Sequence, residues 1–260
     1  MTSIFETVIL GIIQGLTEWL PVSSSGHLAI AKEFINWQPP VLFYVLLHLS
    51  TLFVILLFFR RSLLSILKAF VMMDFGSVEG KLGIFVAVGS IPTAIFGYTF
   101  QNLFKTFYNN LIVVGFGLMA TGLLLFFSGY KHGSRELNYV DSLITGIAQG
   151  IAIIPGVSRS GATISTELLR GVDRRIAFEF SFLLSIPAVI GATFVELGDM
   201  DLLISNSDVT AILAGVVVAA LVGYLSLKML LRTVLKQKFH WFALYCWAAS
   251  ILIIVSQIVI

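Results

Sequence analysis

The sequence predicts an all-α, polytopic integral membrane protein with six transmembrane helices, and three observations point there. The chain has 260 residues, of which 58% are hydrophobic and only 12% charged, about half the charged fraction of roughly 25% in soluble domains. Its mean hydropathy is +0.98. Six runs reach the roughly 20 apolar residues that a membrane-crossing helix needs: 41–59, 82–100, 110–129, 176–196, 208–227 and 239–260. Four of them carry no charged residue; 208–227 starts at Asp208, and 176–196 holds Glu179 and ends at Glu196. No low-complexity tract or linker divides the chain, so residues 1–260 read as a single membrane domain. The start, M-T-S-I-F-E, has no basic region and the first apolar run carries Glu18, which argues against a cleavable signal peptide.

Two further apolar regions, 4–31 and 141–169, are each interrupted by a Pro, Gly and Ser cluster, where a helix breaks. They resemble each other. G-I-I-Q-G-L-T-E-W-L-P-V-S-S-S-G (11–26) and G-I-A-Q-G-I-A-I-I-P-G-V-S-R-S-G (146–161) match at eight of sixteen positions at an offset of 135 residues. Chance would give about one or two in so biased a composition. An offset of half the chain marks an internal duplication, with repeats of approximately 1–135 and 136–260.

Basic residues gather in three connections: 60–81 (Arg60, Arg61, Lys68, Lys81), 170–175 (Arg170, Arg174, Arg175) and 228–238 (Lys228, Arg232, Lys236, Lys238). Residues 197–208 hold Asp199, Asp201 and Asp208 and no basic residue. The positive-inside rule puts the first three in the cytoplasm and the last outside. Threading the chain through these points makes 141–169 enter and leave on the same side, as a re-entrant helical hairpin. The repeat makes 4–31 a second hairpin, entering from outside. Three spans separate them, so the halves form an inverted-topology repeat. Non-helical backbone at membrane depth needs protein or a wet cavity to receive its polar groups, so the two tips are expected to meet and build one polar site.

The residues at those tips carry the chemistry. Gln14 and Glu18, four apart, share a helix face. A carboxylate in an apolar helix costs several kcal/mol without a partner or water, which makes Glu18 a functional candidate. The Gln14–Glu18 pair also offers oxygens to a hard divalent cation. After Pro21 come Ser23, Ser24, Ser25, Gly26 and His27. Ser23 and Ser25 suit helix capping as well as substrate binding. The exposed amides of such a turn form an anion nest. His27 beside a hydroxyl is a pairing for nucleophilic or acid–base work. In the second hairpin, P-G-V-S-R-S-G-A-T (155–163) brings Arg159, whose planar fork suits a phosphate or an ion pair with Glu18, together with the hydroxyls of Ser158, Ser160 and Thr163. His48, His132 and His240 are expected to be satisfied locally, and Glu167 and Glu179 to pair with the basic residues of 170–175 in solvent. Cys246, the single cysteine, reads as a small core filler. A net charge of +2 gives no electrostatic footprint for nucleic acid.

Q-G-L-T-E (14–18), P-V-S-S-S-G-H (21–27) and P-G-V-S-R-S-G-A-T (155–163) together resemble the motifs of the undecaprenyl-diphosphate phosphatases, the bacitracin-resistance proteins, over the whole chain. Gln14 stands where that family has glutamate or glutamine, which weakens a two-carboxylate metal site. The resemblance implies hydrolysis of undecaprenyl diphosphate to the monophosphate, recycling the lipid carrier for peptidoglycan and other envelope polymers and conferring bacitracin resistance. It implies a multi-pass protein of the cell (inner) membrane with its site on the periplasmic side. The catalytic set is then Glu18, Ser24, His27 and Arg159, with Gln14, Ser23, Ser25, Ser158, Ser160 and Thr163 binding substrate. A divalent cation, Mg or Ca, is expected at Glu18 and Gln14. The nucleophile is left open between Ser24 with His27 as base, His27 itself, and water. The partners are the polyprenyl diphosphate lipid and the membrane, with a homodimer open to it. The architecture by itself also suits an inverted-repeat transporter or polyprenyl-phosphate flippase, which needs no nucleophile.

Overall fold

The computed structural model describes residues 4–34, 39–108, 110–130, 133–198 and 209–259. Among them twelve α-helices run in order: α1 (Ile4–Trp19), α2 (Ser24–Phe34), α3 (Val41–Phe58), α4 (Arg60–Val71), α5 (Val78–Thr99), α6 (Gln101–Phe107), α7 (Leu111–Ser128), α8 (Tyr139–Ile151), α9 (Arg159–Leu169), α10 (Arg174–Gly198), α11 (Val209–Leu235) and α12 (Phe242–Val259). The described residues contain no strand; one isolated bridge pairs Arg135 with Val172. Six of the described helices are long and apolar enough to cross a membrane: α3, α5, α7, α10, α11 and α12, the last extended by a 3-10 turn at Phe239–Trp241. These are the six expected spans, with ends shifted by a few residues. His132, Asp199, Asp201 and Asp208 lie outside the described residues.

The helix starts follow local chemistry. Ser77 caps α5 through the amide of Gly80, Asn110 caps α7 through those of Ile112 and Val113, and Asn138 with Asp141 forms a reciprocal capping box on α8. The basic connections are more helical than charge counting implies. Residues 60–71 form α4, which turns Leu63 and Ile66 toward the core and leaves Arg60, Arg61 and Lys68 exposed. Helix α11 continues past 227 to Leu235, carrying Lys228 and Arg232. Its 27 residues span about 40 Å at 1.5 Å per residue, more than a hydrocarbon core of about 30 Å, so the charged end projects beyond it.

Both interrupted regions break as expected: α1 gives way to α2 across residues 20–23, and α8 to α9 across 152–158. The halves are interleaved. Helix α1, from the first, lies along α11 of the second, while α8 of the second lies along α5 of the first. Glycines allow both approaches. A Cβ on Gly11 would sit 2.3 Å from the Gly215 carbonyl oxygen, and one on Gly146 would sit 2.1 Å from that of Gly89. Gly11 and Gly146 are matched positions of the duplication, and small residues are what let membrane helices pack closely. Thr93 secures the second contact by donating to the Gly146 carbonyl at 2.9 Å. Beneath the breaks, Trp19, Phe59, Phe178 and Phe182 form a buried aromatic cluster, with Trp19 edge-on to Phe182 at 5.5 Å. This apolar floor supports the polar tips above it.

Candidate active site

The two tips are built alike. In the first, Ser23 takes a left-handed conformation (φ 68°), which a non-glycine residue adopts only where its surroundings hold it. Three contacts do so. The Ser23 Oγ accepts from the Gly26 amide at 3.3 Å, the His27 amide donates to the Ser23 carbonyl at 3.2 Å, and His27 Nδ1 donates to the same carbonyl at 2.8 Å. Cys246 adds a weak Sγ contact to the Pro21 carbonyl at 3.3 Å. In the second tip, Ser158 caps α9 through the Gly161 amide at 3.2 Å, and its own amide donates to Thr121 at 2.9 Å. Each capping serine also pairs with the serine two residues on: Ser23 with Ser25 at 3.1 Å, Ser158 with Ser160 at 3.3 Å. Capping is thus what Ser23 and Ser158 do.

The tips touch through glycine. A Cβ on Gly26 would lie 3.5 Å from the Gly156 Cα, and one on Gly156 would fall 2.1 Å from the Val114 carbonyl oxygen. Gly156 also has φ +91°. Gly156→Ala combines left-handed strain with a backbone clash, each costing about 1–3 kcal/mol. The expected result is a lower thermal unfolding midpoint in detergent, together with lost activity, because the second tip is displaced from the first.

Glu18 is the hub between the tips. It is 7% exposed. One carboxylate oxygen pairs with the Arg159 guanidinium, from the other half of the chain. The other accepts from Ser24 Oγ at 2.7 Å and from Gln14 Nε2 at 3.1 Å. His48 Nε2, from α3, stands 3.9 Å from that same oxygen. A recess too narrow for a water molecule lies here, lined by Glu18, Trp19, Arg159, Ser160, Ser181, Phe182 and Ser185. The Arg159 side chain keeps 20% of its surface exposed, so a ligand can reach it.

The structure therefore brings Gln14, Glu18, Ser24 and Arg159 together and sets the paired serines 23/25 and 158/160 around them. It places two candidates differently. Thr163 is fully buried and donates to the Arg159 carbonyl at 2.8 Å while bonded to Ser181 of the recess wall, so its hydroxyl is committed within the protein behind that wall. His27 is turned from Ser24: its Nε2 accepts from the Tyr245 hydroxyl at 2.6 Å and its ring stacks on that phenol. Ser24 is bonded to Glu18 instead. Two expectations about outlying residues are corrected. Glu167 is fully buried and accepts from Thr145, not solvated, because α8 and α9 close over it; Glu179 accepts from Ser62 of α4. His48 has its expected local bond, Nδ1 to the Tyr44 carbonyl at 3.0 Å, but its other nitrogen faces the site. The sequence does carry a signal for it, an ionisable residue inside an otherwise uncharged span. Tyr245 carries no such signal.

The donor set suits a magnesium-like ion better than a caged one. Among the described residues no three His, Cys, Asp or Glu side chains converge. However, Gln14 Oε1 is buried with no hydrogen-bond partner, on the amide whose nitrogen donates to Glu18. Magnesium is commonly held by one or two protein oxygens, with substrate phosphates and water completing its shell.

The family described as bacitracin resistance protein BacA matches residues 7–252. The chain is 37% identical to an undecaprenyl-diphosphatase of Alkaliphilus metalliredigens over 98% of each chain. It is 41% identical to one of Halothermothrix orenii over 97% of each, and 34% identical to one of Methanosphaera stadtmanae over the full length of both.

Proposed function

Since this chain belongs to the bacitracin resistance protein BacA family, we propose that the Glu18 hub is where it removes a phosphate from undecaprenyl diphosphate. The protein is a multi-pass membrane hydrolase that converts the lipid diphosphate to undecaprenyl phosphate and inorganic phosphate. The observation that carries the site assignment is the Ser24 hydroxyl aimed at a buried carboxylate, next to an arginine supplied by the other half of the chain.

The terminal phosphate approaches the exposed part of Arg159 and draws its fork from Glu18 onto the phosphate oxygens. Tip amides and the hydroxyls of Ser25 and Ser160 complete its binding. Ser24 Oγ attacks the terminal phosphorus while its proton passes to Glu18, and the bridging P–O bond breaks, releasing undecaprenyl phosphate. Water then attacks the phosphoserine; Ser24 Oγ leaves with the proton returned by Glu18, and inorganic phosphate departs. Arg159 stabilises the charge on the phosphoryl oxygens in both steps, the main task in phosphoryl transfer. His27 serves by clamping the strained Ser23 turn and so presenting Ser24. Gln14 Oε1 and Glu18 would hold a divalent cation, Mg or Ca, which when bound supplies positive charge to the diphosphate oxygens.

The duplicated, interleaved halves support an inverted-topology repeat whose tips are re-entrant hairpins, and the loop charges support a site opening to the periplasmic side of the inner membrane. Interleaved halves with broken helices also suit a lipid flippase. Such a protein needs no hydroxyl bonded to a carboxylate, which is why the phosphatase reading is preferred.

The test is phosphate release from undecaprenyl diphosphate by the purified protein in detergent, with and without EDTA. The expected result is steady release that EDTA abolishes and added magnesium restores. Folded protein that releases nothing under any metal condition overturns the assignment; release indifferent to EDTA overturns the cation.

A further inference from the structure

Resting on the phosphatase reading, we propose that His48 is a positioning residue for Glu18, the group that holds the carboxylate in place once the substrate has drawn Arg159 away. Arg159 is bound to Glu18, so diphosphate must compete for it. As the arginine turns, Glu18 loses its side-chain counterion while lying against Trp19 and Phe182. A carboxylate so placed either finds a new partner or swings toward water. In the second case it loses its aim on Ser24.

His48 is placed to prevent this. It lies midway along α3, and the Nδ1 bond to the Tyr44 carbonyl at 3.0 Å fixes the ring plane. Its Nε2 then points at the Glu18 oxygen that accepts from Ser24, 3.9 Å away. That gap is too long for a hydrogen bond, and with Nδ1 donating to the Tyr44 carbonyl the neutral ring presents a lone pair at Nε2, so the link is one water that donates to both Nε2 and the carboxylate. The side chain is 28% exposed, which leaves room at the ring for a water. Arg159 and His48 approach different oxygens of the same carboxylate. One partner can therefore leave while the other tightens, with the Ser24 bond undisturbed.

The experiment measures kcat and KM for phosphate release by His48→Leu, His48→Gln and His48→Asn, with the thermal unfolding midpoint recorded for each. A carboxylate displaced by about 1 Å loses on the order of 100-fold in rate. The expected result is kcat lowered about 10- to 100-fold in His48→Leu with KM within about twofold, since His48 does not touch the substrate. His48→Gln, whose amide reaches the carboxylate, is expected to keep kcat within about fivefold of wild type. The shorter His48→Asn should match the leucine variant, which keeps the test decisive even where leucine disturbs folding. Wild-type kcat in His48→Leu and His48→Asn overturns the proposal. So does a raised KM at unchanged kcat, which would make His48 a direct phosphate ligand, or a glutamine variant as slow as the other two. Failure of the phosphatase reading looks different: the wild type itself then releases no phosphate.

Discussion

Arg159→Ala is expected to reduce kcat for phosphate release by about 1,000-fold or more, the scale on which an arginine contributes to phosphoryl transfer. The residue has two tasks. With substrate bound, its fork neutralises charge on the transferred phosphoryl group; at rest, it is the counterion of a carboxylate that is 7% exposed. Removing one member of a buried pair leaves the other unpaired, at a cost of about 3–5 kcal/mol, so the alanine variant should also unfold at lower temperature. Arg159→Lys separates the two tasks. Lysine restores positive charge near Glu18 but not the bidentate fork. The lysine variant is therefore expected to recover most of the thermal midpoint and little of kcat. Equal recovery of both would mean that Arg159 acts only as a structural counterion, and phosphate binding would have to be assigned elsewhere.

Ser24→Ala is the second large effect, also about 1,000-fold or more in kcat, as for loss of a nucleophile. Here stability should barely change. Ser24 is only partly buried and points at Glu18, while the turn it belongs to is capped by Ser23. Ser23→Ala should do the opposite: it removes the cap, worth about 1 kcal/mol, and affects kcat mainly by loosening the tip. Running the two alanine variants side by side, with thermal midpoint and kcat for each, separates chemistry from architecture on adjacent residues. A Ser24→Ala protein within about tenfold of wild type would remove the phosphoserine. The attacking group would then be water or His27, and His27 would first have to leave Tyr245, to which its Nε2 is now bonded.

Much of the fold is legible in the residues themselves. Long apolar runs become spans, and the Pro, Gly and Ser clusters become breaks. These outcomes are local: a backbone segment in lipid must bond to itself, and the breaks fall where Pro stands with Gly and Ser, whereas Pro92 and Pro187 alone leave α5 and α10 continuous. The duplication is equally plain, since it is written as matched residues. Helix α4 is not, because a segment holding Arg60, Arg61 and Lys68 reads as a solvated connection, and only the fold turns Leu63 and Ile66 toward the core.

The site divides along the same line. That Glu18, Ser24 and Arg159 are functional follows from the cost of placing them in an apolar chain. Their pairing does not, because it depends on how α1 and α8 are seated against the opposite halves. Glu18 and Arg159 are 141 residues apart, and His27 and Tyr245 are 218 apart. Nothing in the local pattern of Thr163 tells that its hydroxyl is taken up by the Arg159 carbonyl and Ser181, nor in that of His48 that its second nitrogen looks toward Glu18. Solvation of the backbone and the cost of buried charge act within a few residues, so sequence alone determined the spans, the breaks and the identity of the polar groups. Close packing at Gly11, Gly146 and Gly156 acts between segments far apart in the chain, so only the tertiary structure decided which of those groups meet.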